Sequence, residues 1–395
     1  MLNDRLEALK DYPFARLREL LAGATPPAGL TPITMSIGEP SHPFPGFVGE
    51  ILAKHLLEYG KYPPILGTPE YRQAAVNWLG RRYKLPAGLL DAEKDVVALS
   101  GTKEGLFMIA QAVVPSRKAG AVPLVAMPDP FYQVYAGGGV LAGAELLLLP
   151  ARRENNFMPD YTALTPTQLD RLAAFYLCTP SNPQGTVADL DYMTGLLALA
   201  RKHDFVLILD ECYAEIYSGK PPSGGLEAAM RLDGRLDNLV VFHSLSKRSS
   251  VPGMRIGFVA GDPKVIAAFG RVRNYGGATI PFPILHAGTA LWNEDTHAEA
   301  NRGLYQKKFA MAERLLGNRL GFYKPAGGFF LWLDVGDSET AARRLYEEAA
   351  ITTLPGAYLA KSDDGTIGRP YLRVALVNDL ATTEEALTRI RDTLG

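Results

Sequence analysis

One lysine lies where its amine could take part in a reaction. Lys247 ends the run Ser244-Leu-Ser246-Lys, which directly follows the apolar residues 239–242, and Arg255 comes eight residues later. A lysine at the end of a buried strand can form a Schiff base with an aldehyde, and hydroxyl groups beside an arginine suit a phosphate. An exposed serine-rich loop could contain the same residues. The residues at the other strand ends are therefore needed to distinguish a reactive lysine from a loop lysine.

An aspartate ends a second apolar run. Asp210 follows residues 205–209, and Tyr213 comes three residues later. A carboxylate at a strand end is costly to bury unless it is paired, and a protonated pyridine nitrogen is a suitable partner. Together with Lys247 it points to pyridoxal 5'-phosphate, a cofactor whose ring accepts electrons from a substrate Cα. A magnesium-binding aspartate is the rival interpretation, but no GxxxxGK[ST] loop accompanies it.

Three more strand ends carry polar or aromatic residues. The turn at residues 100–105 contains Thr102 and Lys103 and opens a helical pattern, so its amides could hold a phosphate. A tight strand-to-helix connection is the alternative. Tyr132 could stack on a flat ring or pack in a core. Asn182 is fixed between two prolines, either to direct its side-chain amide or to form a turn.

One arginine is predicted to be buried near the C-terminus. Arg373 lies in the apolar run 371–375, where its guanidinium requires a carboxylate. That partner is either the α-carboxylate of an amino acid or an internal Asp or Glu. The histidines show no HxxxH spacing and no GxSxG motif is present, so neither zinc hydrolysis nor serine-hydrolase chemistry is indicated, and we expect no metal.

The surrounding elements predict an α/β fold. Seven short apolar strands are expected at residues 95–99, 124–127, 144–149, 173–177, 205–209, 239–242 and 257–260. Helical patterns between them, at 48–59, 69–83 and 190–203, indicate a mostly parallel sheet covered on both faces, with ligands at the carboxyl ends of its strands.

The expected domains are an arm with part of the small domain (1–45), a large cofactor-binding domain (46–285) and a small α+β domain (286–395). The arm carries a helix at 14–21. The small domain has helices at 286–320, 340–349 and 383–394 and a strand at 371–375.

Composition excludes several classes of function. The 41 basic and 42 acidic residues nearly cancel, which argues against nucleic-acid and membrane-surface partners. No apolar run reaches the ~20 residues of a membrane span, and the two cysteines form no disulfide or metal pattern. We therefore expect a cytoplasmic protein whose partners are small molecules or another subunit.

The order of these motifs resembles the class I/II aminotransferases of pyridoxal phosphate fold type I over nearly the whole chain. The resemblance implies that Lys247 holds the cofactor by a Schiff base and moves the proton between Cα and C4′. It also implies that Asp210 holds the ring nitrogen, that Tyr213 and Asn182 hold the phenolic oxygen, and that Tyr132 stacks on the ring.

The same resemblance implies how phosphate and substrate are held. The phosphate ligands would be Thr102 and Lys103 through their amides, with Ser244, Ser246 and Arg255. Tyr62 would reach the phosphate of the neighbouring subunit, so a homodimer with shared active sites is implied. Arg373 would bind the α-carboxylate, and the backbone around Gly38 would close over the substrate.

Within this family the chain is most similar to bacterial N-succinyldiaminopimelate aminotransferases of lysine biosynthesis. The segments carrying the likeness are 12–17, 130–135, 210–217 and 245–255, whereas Thr102-Lys-Glu and Tyr275-Gly-Gly-Ala depart from it. The expected reaction is a ping-pong transfer between glutamate and N-succinyl-2-amino-6-ketopimelate.

The sequence is also compatible with other activities. They are an aminotransferase of the aspartate, aromatic or LL-diaminopimelate type, a C–S lyase or decarboxylase of the same fold, a ligand-sensing module, and a nicotinamide-dependent dehydrogenase.

Overall fold

The fold is built on one large β-sheet and two smaller ones. A computed structural model describes residues 2–9, 11–361 and 366–395. The strands are β1 Ile33–Thr34, β2 Val96–Leu99, β3 Leu124–Asp129, β4 Glu145–Pro150, β5 Leu172–Cys178, β6 Val206–Asp210, β7 Leu239–Ser244, β8 Gly257–Gly261, β9 Phe330–Asp334, β10 Ile351–Thr352, β11 Leu354–Pro355 and β12 Tyr371–Ala375.

The large sheet has seven strands in the order β2-β8-β7-β6-β5-β3-β4. Strands β3 to β7 pair in parallel, and β8 runs antiparallel to both β2 and β7. Because β8 is reversed, its beginning lies at the edge where the parallel strands end, and Gly257 is in register with both Leu99 and Ser244. The predicted mostly parallel α/β sheet is confirmed, and the same edge collects the ends of six strands and the start of β8.

Helices cover both faces of this sheet. The α-helices of the described residues, in both lobes, are α1 Pro13–Leu20, α2 Phe47–Lys54, α3 Pro69–Tyr83, α4 Thr102–Val113, α5 Gln133–Leu141, α6 Pro166–Arg171, α7 Leu190–His203, α8 Gly225–Leu232, α9 Leu245–Arg248, α10 Pro263–Gly276, α11 Phe282–Asn293, α12 Thr296–Leu316, α13 Ser338–Ala349 and α14 Leu380–Leu394. One apolar core joins the sheet to α3, α7, α8 and α11, and another joins its opposite face to α4, α5 and α10. Buried strands of this kind must be apolar on both sides.

A smaller lobe packs against the carboxyl edge of the large sheet. Its antiparallel sheet has the order β11-β12-β9, and β1 from the arm pairs in parallel with β10. Strand β12 coincides with the predicted strand, and α12, α13 and α14 bury its outer side. Within the described residues no helix is long and apolar enough to cross a membrane.

Two predicted helices are wrong in extent. The helix expected over 286–320 is two helices, α11 and α12, and the helix expected over 48–59 ends at Lys54 and continues as a 3-10 turn, Leu56–Gly60. α11 packs with the large-lobe core, to which it contributes Leu285 and Trp292. The domain ranges 1–45, 46–285 and 286–395 stay predictions.

Candidate active site

A cavity of about 430 Å³ lies between the carboxyl edge of the large sheet and the small lobe. Its wall contains almost every residue singled out in the sequence: Gly38, Thr102, Lys103, Tyr132, Asn182, Asp210, Tyr213, Ser244, Ser246, Lys247, Arg255 and Arg373. Tyr62 does not line it and is fully exposed on this chain. Eight separate stretches of the sequence thus meet at one place.

Lys247 projects from the short helix α9, directly after β7. Its Nζ donates a hydrogen bond to the Gly38 carbonyl at 2.6 Å and lies 5.2 Å from the centre of the Phe329 ring. Desolvation lowers the pKa of the Lys247 amine to about 8, and the positive charges of Arg255 and Arg373 act in the same direction. A larger fraction of this amine is therefore neutral near pH 8 than in an ordinary lysine.

Asp210 ends β6 and is buried at the bottom of the cavity. The Tyr135 hydroxyl donates to its Oδ2 at 2.7 Å, and the Cys212 amide donates to its Oδ1 at 3.3 Å. His243 lies on the neighbouring strand β7, and its Nε2 is 3.0 Å from Glu211 Oε2. Burial raises the pKa of Asp210, so a cationic partner would stabilise its carboxylate form.

Another part of the cavity wall is suited to an anion. Helix α4 begins at Thr102 with no side chain capping its first turn, so its amides and the positive end of the helix dipole face the cavity. Arg255, Ser244 and Ser246 lie on the same wall, and Arg255 Nη1 lies 3.5 Å from Ser246 Oγ. A Cβ at Gly101, which has φ 78°, would come within 2.1 Å of the Arg255 guanidinium, so this approach requires glycine.

Arg373 faces the cavity from β12. It donates to Asn182 Oδ1 at 3.0 Å and to the Ser36 carbonyl at 2.7 Å, and its guanidinium lies 4.4 Å from the Phe330 ring centre. Within the described residues Arg373 has no ion pair to a carboxylate, and its Nε has no hydrogen-bond partner. Desolvation lowers the pKa of Arg373 to about 10. Of its five N–H groups, three are left for a ligand.

Two supporting groups were not identified from the sequence. Tyr135, stacked on Tyr176 at 4.8 Å, holds Asp210 and lines the cavity; the aromatic cluster 131–135 was its signal. The second group is a chain of hydrogen bonds behind Lys247.

This series of hydrogen bonds begins at the buried amine of Lys308, which lies 2.7 Å from His42 Nε2. His42 Nδ1 is 2.7 Å from Asn301 Oδ1, and Asn301 Nδ2 donates to the carbonyls of Lys247 and Arg248 at 3.1 and 3.2 Å. These hydrogen bonds join the arm and α12 to α9, which carries Lys247. No sequence pattern signals them, because His42, Lys247 and Asn301 are each more than 50 residues apart in the sequence.

Comparison with known proteins identifies the family. The family model "Aminotransferase class I and II" matches residues 33–390. The chain belongs to the class I and II aminotransferase family. It is 30% identical to the LL-diaminopimelate aminotransferase of Aquifex aeolicus, over 99% of this chain and 98% of that one.

Two solved aminotransferases share the fold over nearly the whole chain. One, from Neisseria meningitidis, is 39% identical with a TM-score of 0.94, and the match covers 100% of both chains. The other, AspB from Helicobacter pylori, is 35% identical with a TM-score of 0.89, covering 98% of this chain and 99% of that one.

Aminotransferases of this family depend on pyridoxal 5'-phosphate, and the residues of this cavity fit that group. The uncapped start of α4 with Arg255 suits its phosphate, and the buried carboxylate of Asp210 suits a protonated ring nitrogen. The amine of Lys247 belongs to a residue that lines the same cavity.

Proposed function

We propose that this aminotransferase transfers an amino group, in two half-reactions, from glutamate to a long keto acid that has a further carboxylate far from its α-carboxylate. The observation that carries the proposal is the meeting of Lys247, Asp210 and Arg373 in one cavity beside the uncapped start of α4. These groups supply an amine, a buried carboxylate, a cation for an α-carboxylate and a site for phosphate.

In this proposal the cofactor is held by residues that converge on the cavity. Asp210 pairs with the ring nitrogen, Tyr213 and Asn182 hold the phenolic oxygen, and Tyr132 covers the ring. The phosphate ligands are the amides of Thr102 and Lys103 and the side chains of Ser244, Ser246 and Arg255. When bound, pyridoxal phosphate supplies a ring that accepts the electron pair released at the substrate Cα.

Lys247 is proposed to be the proton carrier. Its neutral Nζ would take the proton from the substrate Cα and return it to the cofactor side, and the lowered pKa favours the neutral form. Arg373 would bind the substrate α-carboxylate with two parallel hydrogen bonds. The backbone at Gly38, which already contacts Lys247 Nζ, would close the cavity over the substrate.

The far end of the substrate requires a second cation, and four side chains compete for that role. Arg248 is buried and donates to Leu291 O and Asp295, and Arg273 is buried and pairs with Glu104. Arg271 is exposed and lies outside the cavity wall. Lys103 lines the cavity, with its Nζ 5.1 Å from the Tyr12 ring centre. We therefore propose Lys103 as the ligand of the distal carboxylate.

Two substrates of this shape are candidates. N-succinyl-2-amino-6-ketopimelate is favoured by the motifs 12–17, 130–135, 210–217 and 245–255. The LL-diaminopimelate reaction is favoured by the names of relatives about 30% identical over almost their full length. Either substrate would give the enzyme a role in the diaminopimelate route to lysine.

The test supplies N-succinyl-LL-diaminopimelate or LL-diaminopimelate with 2-oxoglutarate and follows glutamate formation. Aspartate and phenylalanine as donors test the other aminotransferase types, and ammonia with pyruvate release from cystathionine tests the lyase. We expect the succinylated donor to have the highest kcat/KM. A higher kcat/KM for LL-diaminopimelate would move the assignment to the second candidate, and a higher value for aspartate or phenylalanine would contradict both.

Lys103 can be tested against Arg271. In Lys103→Gln, the KM of the long dicarboxylate should rise by about 10-fold or more, since a hydrogen bond to a charged group is worth about 1.5–3 kcal/mol. Arg271→Gln is the matched control and should leave this KM unchanged. The opposite pattern would assign the distal site to Arg271.

We also propose a homodimer in which Tyr62 completes the partner's phosphate site. Tyr62, Leu57 and Tyr275 are almost fully exposed on this chain, which suits a surface covered by a second copy. Mixing Lys247→Ala with Tyr62→Phe chains tests this, because a hybrid dimer then contains one intact site. Recovery of activity supports sharing, whereas no recovery from a demonstrated hybrid contradicts it.

A further inference from the structure

Two histidines and a glutamate meet on the large lobe, outside the wall of the active-site cavity. His55 follows α2, Glu58 lies in the 3-10 turn Leu56–Gly60, and His286 belongs to α11. His55 Nδ1 is 2.7 Å from Glu58 Oε1, and His286 Nε2 is 3.2 Å from Glu58 Oε2. One carboxylate therefore faces two imidazole nitrogens from separate elements.

The donor atoms of this cluster have the spacing of metal ligands. One nitrogen of each histidine and one carboxylate oxygen all lie within 4.8 Å of one another. Ligands bound tetrahedrally at about 2.0–2.1 Å from zinc are roughly 3.3 Å apart, which falls inside the observed spread. The three side chains are 23%, 30% and 38% exposed, so they have room to adjust and an ion can reach them.

The charges of the cluster favour a cation. The two imidazole rings stack with their centres 3.8 Å apart and 22° between their planes, so nitrogen atoms of both rings reach the same carboxylate. The Glu58 carboxylate supplies a negative charge beside both rings. Each neutral imidazole has one nitrogen lone pair, so a change of tautomer would turn two nitrogens and one carboxylate oxygen toward a single cation.

We propose that His55, Glu58 and His286 bind a divalent transition-metal ion. Imidazole and carboxylate together suit Zn²⁺, and three protein ligands leave a fourth position for water. The ion would fasten the 3-10 turn Leu56–Gly60 to α11. Because this turn leads directly to Tyr62, metal binding would also fix the segment that carries Tyr62. The site does not depend on which substrate the enzyme uses.

The experiment uses the enzyme with its cofactor after dialysis against EDTA. Co²⁺ is added as a spectroscopic probe and Zn²⁺ as the competing ion, and bound metal per chain is measured by elemental analysis. The variants are His55→Ala, His286→Ala and Glu58→Gln. His203→Ala is the matched control, because His203 lies 4.0 Å from Asp170 without a second histidine.

One Co²⁺ per chain with a tetrahedral visible spectrum, displaced by Zn²⁺, is expected for the natural sequence and for His203→Ala. Affinity should fall at least 100-fold in the two histidine variants and at least 10-fold in Glu58→Gln, while each variant keeps its cofactor absorption band. The proposal is overturned if the natural sequence binds no stoichiometric metal. It is also overturned if His55→Ala and His286→Ala bind metal as tightly as the control.

Discussion

Replacing Arg373 gives the most quantitative test of how the substrate is held. Arg373 is buried, has three N–H groups without a described partner, and makes no ion pair to a carboxylate within the described residues. A hydrogen bond to a charged group is worth about 1.5–3 kcal/mol. Two such bonds to an α-carboxylate would contribute about 3–6 kcal/mol, so Arg373→Met should lower kcat/KM by about 10²–10⁴-fold.

Arg373→Lys keeps the positive charge but loses the planar pair of donors, so its loss should be about 10–100-fold. The assay measures each half-reaction separately by following the cofactor spectrum with glutamate and with the keto acid. Both half-reactions should weaken equally, because the α-carboxylate is common to both substrates, and cofactor content should not change. Arg302→Lys is the control, since Arg302 pairs with Glu215 outside the cavity wall. A loss below threefold, or one confined to a single half-reaction, would refute the reasoning.

Three further outcomes are expected. The rate at which the cofactor-free protein takes up pyridoxal phosphate should rise with pH up to about 8 and then level off. The reason is that the pKa of Lys247 is lowered to about 8 and only the neutral amine attacks. A rate that keeps rising to pH 10 would contradict this. Asp210→Asn should keep the cofactor but lower kcat by about 10²–10³-fold, the size of effect seen when one preorganised hydrogen-bonding group is removed from an active site. An unchanged kcat would remove Asp210 from the ring-nitrogen role. Tyr135→Phe should lower the free energy of unfolding by about 1–3 kcal/mol, because the buried Asp210 carboxylate loses a hydrogen-bond donor, and it should shift the cofactor spectrum. The hydroxyl of Tyr176 donates to Leu106 O instead, so Tyr176→Phe should change stability alone. Equal spectral shifts in both variants would contradict a special role for Tyr135.

The strands of the large sheet and the residues at their ends were predictable, because each strand is an apolar run followed at once by polar residues. The direction of β8 was not, since a short apolar run contains no information about direction. The twelve residues between β7 and β8 are the shortest length that a crossover to a parallel strand needs, and they contain only the four-residue α9 and a 3-10 turn instead of a longer crossover helix. The antiparallel return is also the reason that Arg255 joins the phosphate end of the cavity.

The break between α11 and α12 depends on a distant side chain. Arg248 donates to the carbonyls of Leu291 and Glu294, 43 and 46 residues away, and so satisfies the end of α11. The Glu294 carboxylate then accepts from the Thr296 amide at the start of α12. Periodicity alone continues smoothly through this position, so the sequence pattern indicated one helix.

Helix α5 was missed for a related reason. It contains three consecutive glycines, which are poor helix formers. A Cβ at Gly138 would come within 2.7 Å of the Phe107 carbonyl, so close packing against α4 requires a small residue there. Tertiary packing outweighs local propensity at this helix, and it places Tyr135 where it can hold Asp210.

The central claim is that Lys247 holds the cofactor. Borohydride reduction of the enzyme with bound pyridoxal phosphate fixes the cofactor covalently to the amine that holds it, and peptide mass spectrometry then locates the modified residue. The added mass should appear on the peptide containing Lys247, and Lys247→Ala should lack both the covalent mark and amino transfer. Modification of another lysine, such as Lys103 or Lys308, with Lys247 unmodified would contradict the account.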